Sequence, residues 1–148
     1  MRLNHRLYGS LVILFALFLS GVATAADRPY TEGPVSVVSA IRTETGMFDD
    51  YMAWIAGPWK QDMEAQKKAG IVVEYKVYAT SPRNPNEPDL YLVVTYKNWA
   101  SFDGLNAKLD PITEKLSGSV QKANAEAVGR GKMRKVLGDE ILQQLILK

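Results

Sequence analysis

The sequence contains no cysteine, and its only histidine is His5, close to the amino terminus. Without cysteine the fold has no disulfide bond, so a packed core must supply its stability. Thiolate metal sites and Cys-His nucleophilic sites are excluded for the same reason. If the first residues are removed, Ser-His-Asp catalysis and histidine metal sites are excluded as well. General acid–base chemistry would then fall to Asp, Glu, Lys or Tyr.

Sequence signatures for a metal site built from carboxylates are also missing. No D-x-D-x-D-G calcium loop occurs anywhere in the chain. Asp49 and Asp50 are adjacent, and adjacent residues do not share a helical face, so they are not expected to act as a catalytic pair. We therefore expect no metal and no cofactor, and the residues alone identify no catalytic group.

A sustained basic run is likewise absent beyond the first few residues. Removing Arg2 and Arg6 from the 18 basic residues leaves 16, which equals the 16 acidic residues. The densest remaining basic pieces are "KK" at 67–68 and "GRGKMRK" at 129–135. Such a balanced chain has no electrostatic footprint for nucleic acid, and we expect no nucleic-acid partner.

The amino-terminal residues follow the pattern of a secretory signal peptide. A basic "MRLNHR" precedes the uncharged apolar run "LVILFALFLS" at 11–20, and small residues follow. The pattern predicts a signal peptide over residues 1–25, with cleavage after Ala25 as the first choice and after Ala26 as the second. The alternative is a retained membrane anchor, but the uncharged stretch is only marginally long enough to span a bilayer. We expect a periplasmic or secreted protein without a stable membrane anchor.

Hydrophobic patterns of two kinds alternate along the rest of the chain. Residues 26–34 read as a polar leader, and 35–148 as a single domain. Alternation at period two predicts strands, and apolar residues three or four apart predict helices. Asp110-Pro111 has the composition of a helix start, with Asp as N-cap and Pro in the first turn. The predicted elements are strands at 35–44, 71–79, 90–96 and 140–148, helices at 47–69 and 111–127, and a helical turn after Asn98.

This β-α-β-β-α-β order predicts a ferredoxin-like α+β fold, in which the helices cover one face of a four-stranded antiparallel sheet. The other sheet face is too apolar to be left bare, and such faces usually bind a second subunit. We therefore expect a homodimer formed through the sheet. The residues predicted on this face are Val38, Ala40, Val72, Val93, Leu142 and Ile146, beside Arg42, Glu74 and Lys76.

The stretch "YMAWIAGPWKQ" (51–61) places two tryptophans five residues apart within a helical pattern. At about 100° per residue, an unbroken helix would turn Trp59 about 140° away from Trp54. Pro58 leaves the carbonyl of Trp54 without its helical donor and predicts a kink there. Trp59 joins an apolar stripe and is predicted to be core, whereas Trp54 joins Tyr51 on a flanking stripe and is predicted at an interface or pocket rim. The core stripe consists of Phe48, Met52, Ile55, Trp59 and Met63.

The chain resembles the dimeric α/β barrel superfamily. The features that carry the resemblance are a first strand, a helix ending in "WKQDMEAQKKAG", a strand hairpin, "YKNWASFDG", a second helix and a closing strand. Small one-domain proteins of the NIPSNAP-like, EthD-like and antibiotic-biosynthesis-monooxygenase-like families are similar. The resemblance implies two subunits joined sheet to sheet, with pockets between a subunit's sheet and its helices. Some members are cofactor-independent oxygenases or isomerases and others degrade haem, but the haem-binding histidine has no counterpart here.

Aromatic residues are the best candidates for a pocket lining, because an apolar pocket with polar rims is a common ligand site. The alternative is that these side chains are simply core. The functions that follow are an exported homodimer that binds a small apolar or aromatic ligand, a cofactor-independent monooxygenase- or isomerase-like enzyme, and a structural protein with a filled barrel. The candidate ligand-binding residues are Arg42, Trp54, Trp59, Tyr75, Tyr91, Tyr96 and Trp99.

Overall fold

A computed structural model describes residues 27–148, so the predicted signal peptide at 1–25 lies outside the described residues. The strands are β1 (Tyr30–Thr43), β2 (Glu74–Ala79), β3 (Leu90–Tyr96) and β4 (Arg134–Leu147). The helices are α1 (Phe48–Trp54), α2 (Lys60–Lys68), α3 (Leu105–Ser117) and α4 (Val120–Gly129). In the described part of the chain, no helix has the length and apolar character needed to cross a membrane.

The four strands form one antiparallel sheet in the order β2-β3-β1-β4. The first and last strands in sequence are therefore neighbours, and β1 lies between β3 and β4. This is the strand order of the split βαβ unit, and the predicted ferredoxin-like α+β fold is confirmed. The helices follow β1 and β3, and they cover the sheet face that carries Ile41 and Leu92.

A small apolar cluster joins α1 to the sheet. Its buried members include Ile41 and Leu92 from the sheet and Tyr51 and Ile55 from the helical segment. Tyr51 is only 1% exposed, whereas Phe48, predicted in the core stripe, is 40% exposed. The prediction of Phe48 as core was therefore wrong, and Tyr51 takes the interior position.

The helical segment between β1 and β2 contains a π-helical turn, Ile55–Trp59, between α1 and α2. Pro58 lies inside this turn and has no N–H with which to bond the carbonyl of Trp54. The chain accommodates the missing donor by widening, and the N–H of Lys60 donates to the carbonyl of Ile55 five residues earlier. Where the sequence predicted a kink at Pro58, the structure has a widened turn that shifts the phase of the helix.

Three strand boundaries differ from those predicted. β1 begins at Tyr30, so most of the predicted leader belongs to the sheet. β2 begins only at Glu74, three residues later than predicted. The N–H of Ile71 donates to the Gln66 carbonyl of α2, and this bond keeps the residues before Glu74 close to that helix. β4 begins at Arg134, six residues earlier than predicted, because it pairs with β1 as far as Thr43. The residues at the start of β4, among them Gly138, have a weak tendency to form a strand, but pairing with the long strand β1 outweighs that tendency.

The second predicted helix is two helices, and its predicted start is wrong. Helix α3 begins at Leu105 after Gly104, which has a positive φ of 61°, so Asp110 and Pro111 lie within it. Residues 105–109 are mostly good helix formers, and they continue the helix backwards. Gly118, with a φ of 85°, ends α3, and the Ser119 side chain accepts a hydrogen bond from the Lys122 N–H at the start of α4.

Candidate functional site

A cavity of about 420 Å³ lies between the π-helical turn and the pair α3 and α4. Trp54 and Trp59 lie on the same cavity because the turn between them is widened. In a turn with bonds between residues five apart, such residues lie on nearly the same side of the helix. The predicted separation of the two tryptophans assumed a regular helix and was wrong. The polar residues around the cavity include Asp62, Lys122, Glu126 and Arg130, and Leu116 adds an apolar surface from α3.

Two arginines flank a stacked aromatic pair beside this cavity. The rings of Tyr51 and Trp54 stack with their centroids 5.6 Å apart and an interplanar angle of 14°. The guanidinium carbon of Arg130 lies 4.5 Å from the centroid of Trp54, and that of Arg134 lies 5.6 Å from the centroid of Tyr51. Both distances are within the range of cation–π attraction. Arg130 belongs to the short 3₁₀ turn after α4, and Arg134 is the first residue of β4.

Among residues 27–148 the ion pairs join other residues, and none includes Arg130 or Arg134. The charge of Glu126 acts on Arg130 from beyond ion-pair distance. The Nε atom of each arginine is buried and has no hydrogen-bond partner. Buried donors without acceptors are uncommon in folded proteins. The pair therefore places two positive charges beside the aromatic rings, and only Arg130 of the two lines the cavity.

Burial and charge alter the acid–base behaviour of this cluster. Burial lowers the pKa of Arg130, and repulsion from Arg134 lowers it further, against attraction from Tyr51 and Glu126. An arginine nevertheless stays protonated, because its ordinary pKa lies far above neutrality. Burial raises the pKa of Tyr51, and Arg134 and Arg130 oppose that shift. Tyr51 is therefore a neutral phenol at physiological pH, and its hydroxyl is able to donate.

Asp62, an acidic residue of the cavity, forms its hydrogen bond within its own helix. Asp62 accepts a hydrogen bond of 2.9 Å from the amide nitrogen of Gln66, one turn further along α2. Burial raises the pKa of Tyr96, and the charge of Asp62 raises it further. In the described residues no group of three or more acidic side chains is placed to hold a metal ion.

The predicted aromatic site residues fall into several environments. Trp54 and Trp59 line the cavity, and Tyr75 lies behind Trp59, with their rings edge to face at 5.4 Å. The Tyr75 hydroxyl donates to Glu64, and this bond raises the pKa of Tyr75. Tyr96 is buried in the sheet and packs on Phe102.

The remaining predicted site residues lie away from the cavity. Trp99 is half exposed, and its Nε1 donates to the side-chain oxygen of Gln143 on β4 at 3.1 Å. Tyr91 lines a second depression of about 440 Å³ on the uncovered sheet face, and Arg42 lines a third of about 470 Å³ beside the loop that follows β1. The structure therefore brings only Trp54 and Trp59 together in the cavity, and the seven predicted residues do not form one site.

The uncovered face of the sheet is about half apolar, and polar residues such as Ser36, Thr95 and Glu140 lie among its apolar ones. The β-pairing places Val38 beside Val93 on one side and beside Glu140 on the other, and Ser36 beside Leu142. Val72, which was predicted on this face, is instead 2% exposed and precedes β2. Its N–H faces the Gln66 carbonyl, so it lies with the helices. β4 also exposes large apolar side chains on both of its faces. They include Ile141, Leu142, Leu145 and Ile146.

The residues that the sequence did not single out are Tyr51, Arg130 and Arg134. The available signal was the dense basic segment "GRGKMRK" at 129–135, which contains both arginines. Their four-residue spacing spans a 3₁₀ turn and a strand start, so no helical or strand periodicity connects them. Tyr51 becomes their neighbour only through the packing of α1 on the sheet.

Comparison with known proteins shows similarity at the level of fold. No protein-family model matches the sequence, and no curated protein matches it. HapK from Hahella chejuensis is similar over 74% of this chain and 91% of its own, with a TM-score of 0.51 and 15% identity. Protein SO0527 from Shewanella oneidensis is similar over 79% of this chain and 96% of its own, with a TM-score of 0.50 and 14% identity. A dimeric ferredoxin-like protein from an uncultured marine organism covers 80% of this chain and 94% of its own, with a TM-score of 0.44 and 10% identity.

Proposed function

We propose that this chain is an exported homodimeric α+β protein that binds a small, mostly apolar or aromatic molecule between its helices. The observation that carries the proposal is the cavity of about 420 Å³ on which Trp54 and Trp59 both lie. Cavities that hold small molecules usually measure about 300–1,000 Å³ and combine apolar walls with a few polar groups. This cavity has that size, and its apolar residues, which include Trp54, Trp59 and Leu116, face a lining that is more polar than is usual for such sites.

The aromatic side chains of the cavity favour a planar ligand. Trp54 is held in place by its stack on Tyr51, and Trp59 by its edge-to-face contact with Tyr75. Side chains fixed in this way lose little conformational freedom when a ligand binds. A flat ring system would gain apolar burial and favourable ring contacts against Trp59 and the edge of Trp54, whose faces Tyr51 and Arg130 already cover.

The homodimer is proposed from the uncovered sheet face. This face carries Val38 and Val93 at its centre and Leu142 toward the β4 edge. Contiguous apolar surface of this kind is typical of protein interfaces. Because the helices cover the opposite face, two copies joined through their sheets would leave both cavities accessible.

Export is proposed from the amino-terminal sequence. The basic, apolar and small-residue segments within residues 1–25 follow the order of a secretory signal. The absence of cysteine means that the fold would need no oxidation after transport.

Native mass spectrometry tests the three parts of this proposal together. The full chain, with its own amino-terminal segment, is expressed in a Gram-negative host and recovered from the periplasm. We expect the mass of a dimer whose chains lack residues 1–25, together with a retained small molecule that collisional activation releases. A monomer would contradict the sheet interface, and recovery only as the full-length chain in the cytoplasm or membrane would contradict export. Unliganded protein that also binds no member of an aromatic panel would contradict ligand binding.

A further inference from the structure

We infer that the molecule bound in this cavity carries an anionic group of the carboxylate type, which Arg130 on the cavity wall binds directly and which the charge of Arg134, behind the aromatic pair, also attracts. The inference rests on the proposed function, because it names the chemical class of the ligand of the same cavity. It concerns two residues that the sequence did not predict as part of a site.

The first argument is the charge of the cluster. Two guanidinium groups lie beside one aromatic pair, and neither forms an ion pair within residues 27–148. They are close enough for Arg134 to lower the pKa of Arg130. Holding two like charges together in a partly buried place costs free energy unless an anion compensates them. A bound anion would remove that repulsion.

The second argument is the shape of the Arg130 side chain. Its Nε atom is buried and closed to a ligand, but Arg130 lines the cavity, so a ligand there would meet its remaining N–H groups. A guanidinium presents its N–H groups in a planar fork that matches the two oxygens of a carboxylate.

The third argument is the combination of charge with ring surface. Arg130 lies over Trp54, so an anion bound to its outer edge would be positioned beside the indole. Trp59 lies on the same cavity and offers a second aromatic surface. An aromatic carboxylate would use both features at once, whereas an inorganic anion would leave the aromatic surfaces unused.

A protein carboxylate is the competing partner for this charge. Glu126 is one helical turn before Arg130 and lines the same cavity, and its charge raises the pKa of Arg130. It nevertheless does not form an ion pair with Arg130 in the structure, which places their charged atoms further apart than direct contact. If Glu126 competes with the ligand, its neutralisation will strengthen anion binding.

Isothermal titration calorimetry with matched acids and amides tests the inference. The probes are benzoate with benzamide, 2-naphthoate with 2-naphthamide, and indole-3-acetate with indole-3-acetamide, each titrated into the dimer. We expect at least one acid to bind roughly tenfold or more tightly than its amide, the difference that a charge-assisted hydrogen-bonded pair provides. Arg130→Gln should reduce that ratio to about one, and Arg134→Gln, which removes a charge behind the cavity wall, should lower it by a smaller factor; both should leave amide binding nearly unchanged.

The control variants separate this pair from general charge effects. Lys122→Gln removes another positive charge from the cavity lining and should leave the ratio within about twofold of the parent. Arg130→Lys keeps the charge but loses the planar fork, and should give an intermediate ratio. Glu126→Gln should raise the ratio. Circular dichroism spectra and unfolding midpoints confirm that each variant is folded.

The possible results distinguish the two proposals. Equal affinity for acids and amides would overturn the anion inference while leaving the aromatic-ligand proposal intact. If the preference for acids survives both arginine substitutions and disappears in Lys122→Gln, the anion binds Lys122. That result would overturn its assignment to the arginines. Failure of every acid and every amide to bind would overturn the proposed ligand binding, and the inference with it.

Discussion

The guanidinium carbon of Arg130 lies 4.5 Å from the centre of the Trp54 ring, and Trp54 in turn stacks on Tyr51. This three-layer arrangement connects the turn after α4 to the first helical segment and to the buried core. Tyr51 packs on the Trp54 ring and connects it to the core, and Arg130 packs on the same ring beside the cavity. Substitutions at Trp54 should therefore affect both stability and ligand binding.

We predict that Trp54→Leu lowers the free energy of unfolding by roughly 1–2.5 kcal/mol, because it removes an aromatic pair and a cation–π contact. Trp99→Leu is the control, since Trp99 is half exposed and loses only a ring contact with Phe102 and an exposed hydrogen bond to Gln143. Urea unfolding at one protein concentration measures both, and the loss for Trp99→Leu should be clearly smaller. Equal losses would show that the stack contributes nothing beyond ordinary surface contacts.

We predict opposite effects for two glycine substitutions. Gly57 lies in the π-helical turn without a positive φ, and a Cβ there would meet no atom within 4 Å. Gly57→Ala should therefore raise the free energy of unfolding by about 0.5–1 kcal/mol, because alanine restricts the unfolded chain. Gly118 is equally open but has a φ of 85°, so Gly118→Ala should lower stability by about 1–2 kcal/mol.

Thermal and urea unfolding of both glycine variants provide the measurement. Because neither Cβ meets a neighbour, backbone conformation alone separates the two outcomes. A loss of stability in Gly57→Ala would mean that the widened turn itself depends on glycine.

The sequence predicted the order and class of the elements, because hydrophobic periodicity within each element is a local property. It also located the disturbance at Pro58, because a proline without its N–H acts on its own helix. It did not predict that the helix would widen into a π turn. That response depends on how Tyr51 and Ile55 pack against the sheet, which no local pattern records.

The early start of β4 has the same kind of cause. Residues 134–139 carry charges and a glycine, and they become a strand because β1 offers a long partner from Tyr30 to Thr43. This pairing brings Arg134 beneath α1 and next to Tyr51. The arginine pair of the candidate site therefore depends on a long-range contact, whereas the two tryptophans were recognisable from their side chains alone.

We predict that Leu142→Glu dissociates the proposed dimer. Leu142 shares the uncovered sheet face with Ser36 and is about half exposed in the single chain. A buried carboxylate without a partner at such an interface is strongly unfavourable. Sedimentation velocity should show a monomer for this variant and a dimer for the parent.

Val128→Glu is the matched control for the interface. Val128 lies on α4, on the opposite side of the molecule from the uncovered face, and is 81% exposed. The same change of an apolar residue to glutamate there should leave the dimer intact. Dissociation by both variants would point to a general effect of added charge, and dissociation by Val128→Glu alone would place the interface on the helices.

We predict that Tyr51→Phe reduces the fall in the free energy of unfolding that the parent protein shows in alkaline solution. Burial raises the pKa of Tyr51 in the folded protein, so above about pH 10 the unfolded chain releases its phenol proton while the folded chain still holds it. The unfolded state then binds fewer protons, and the free energy of unfolding falls as the pH rises through that range. Below about pH 9 both states are protonated, and the difference in stability between parent and Tyr51→Phe should not change with pH. Urea unfolding at intervals from pH 7 to 11 measures the free energy of unfolding of the parent and of Tyr51→Phe. The two curves should converge or cross above pH 10. Parallel curves would mean that Tyr51 is as free to ionise in the folded protein as in the unfolded chain.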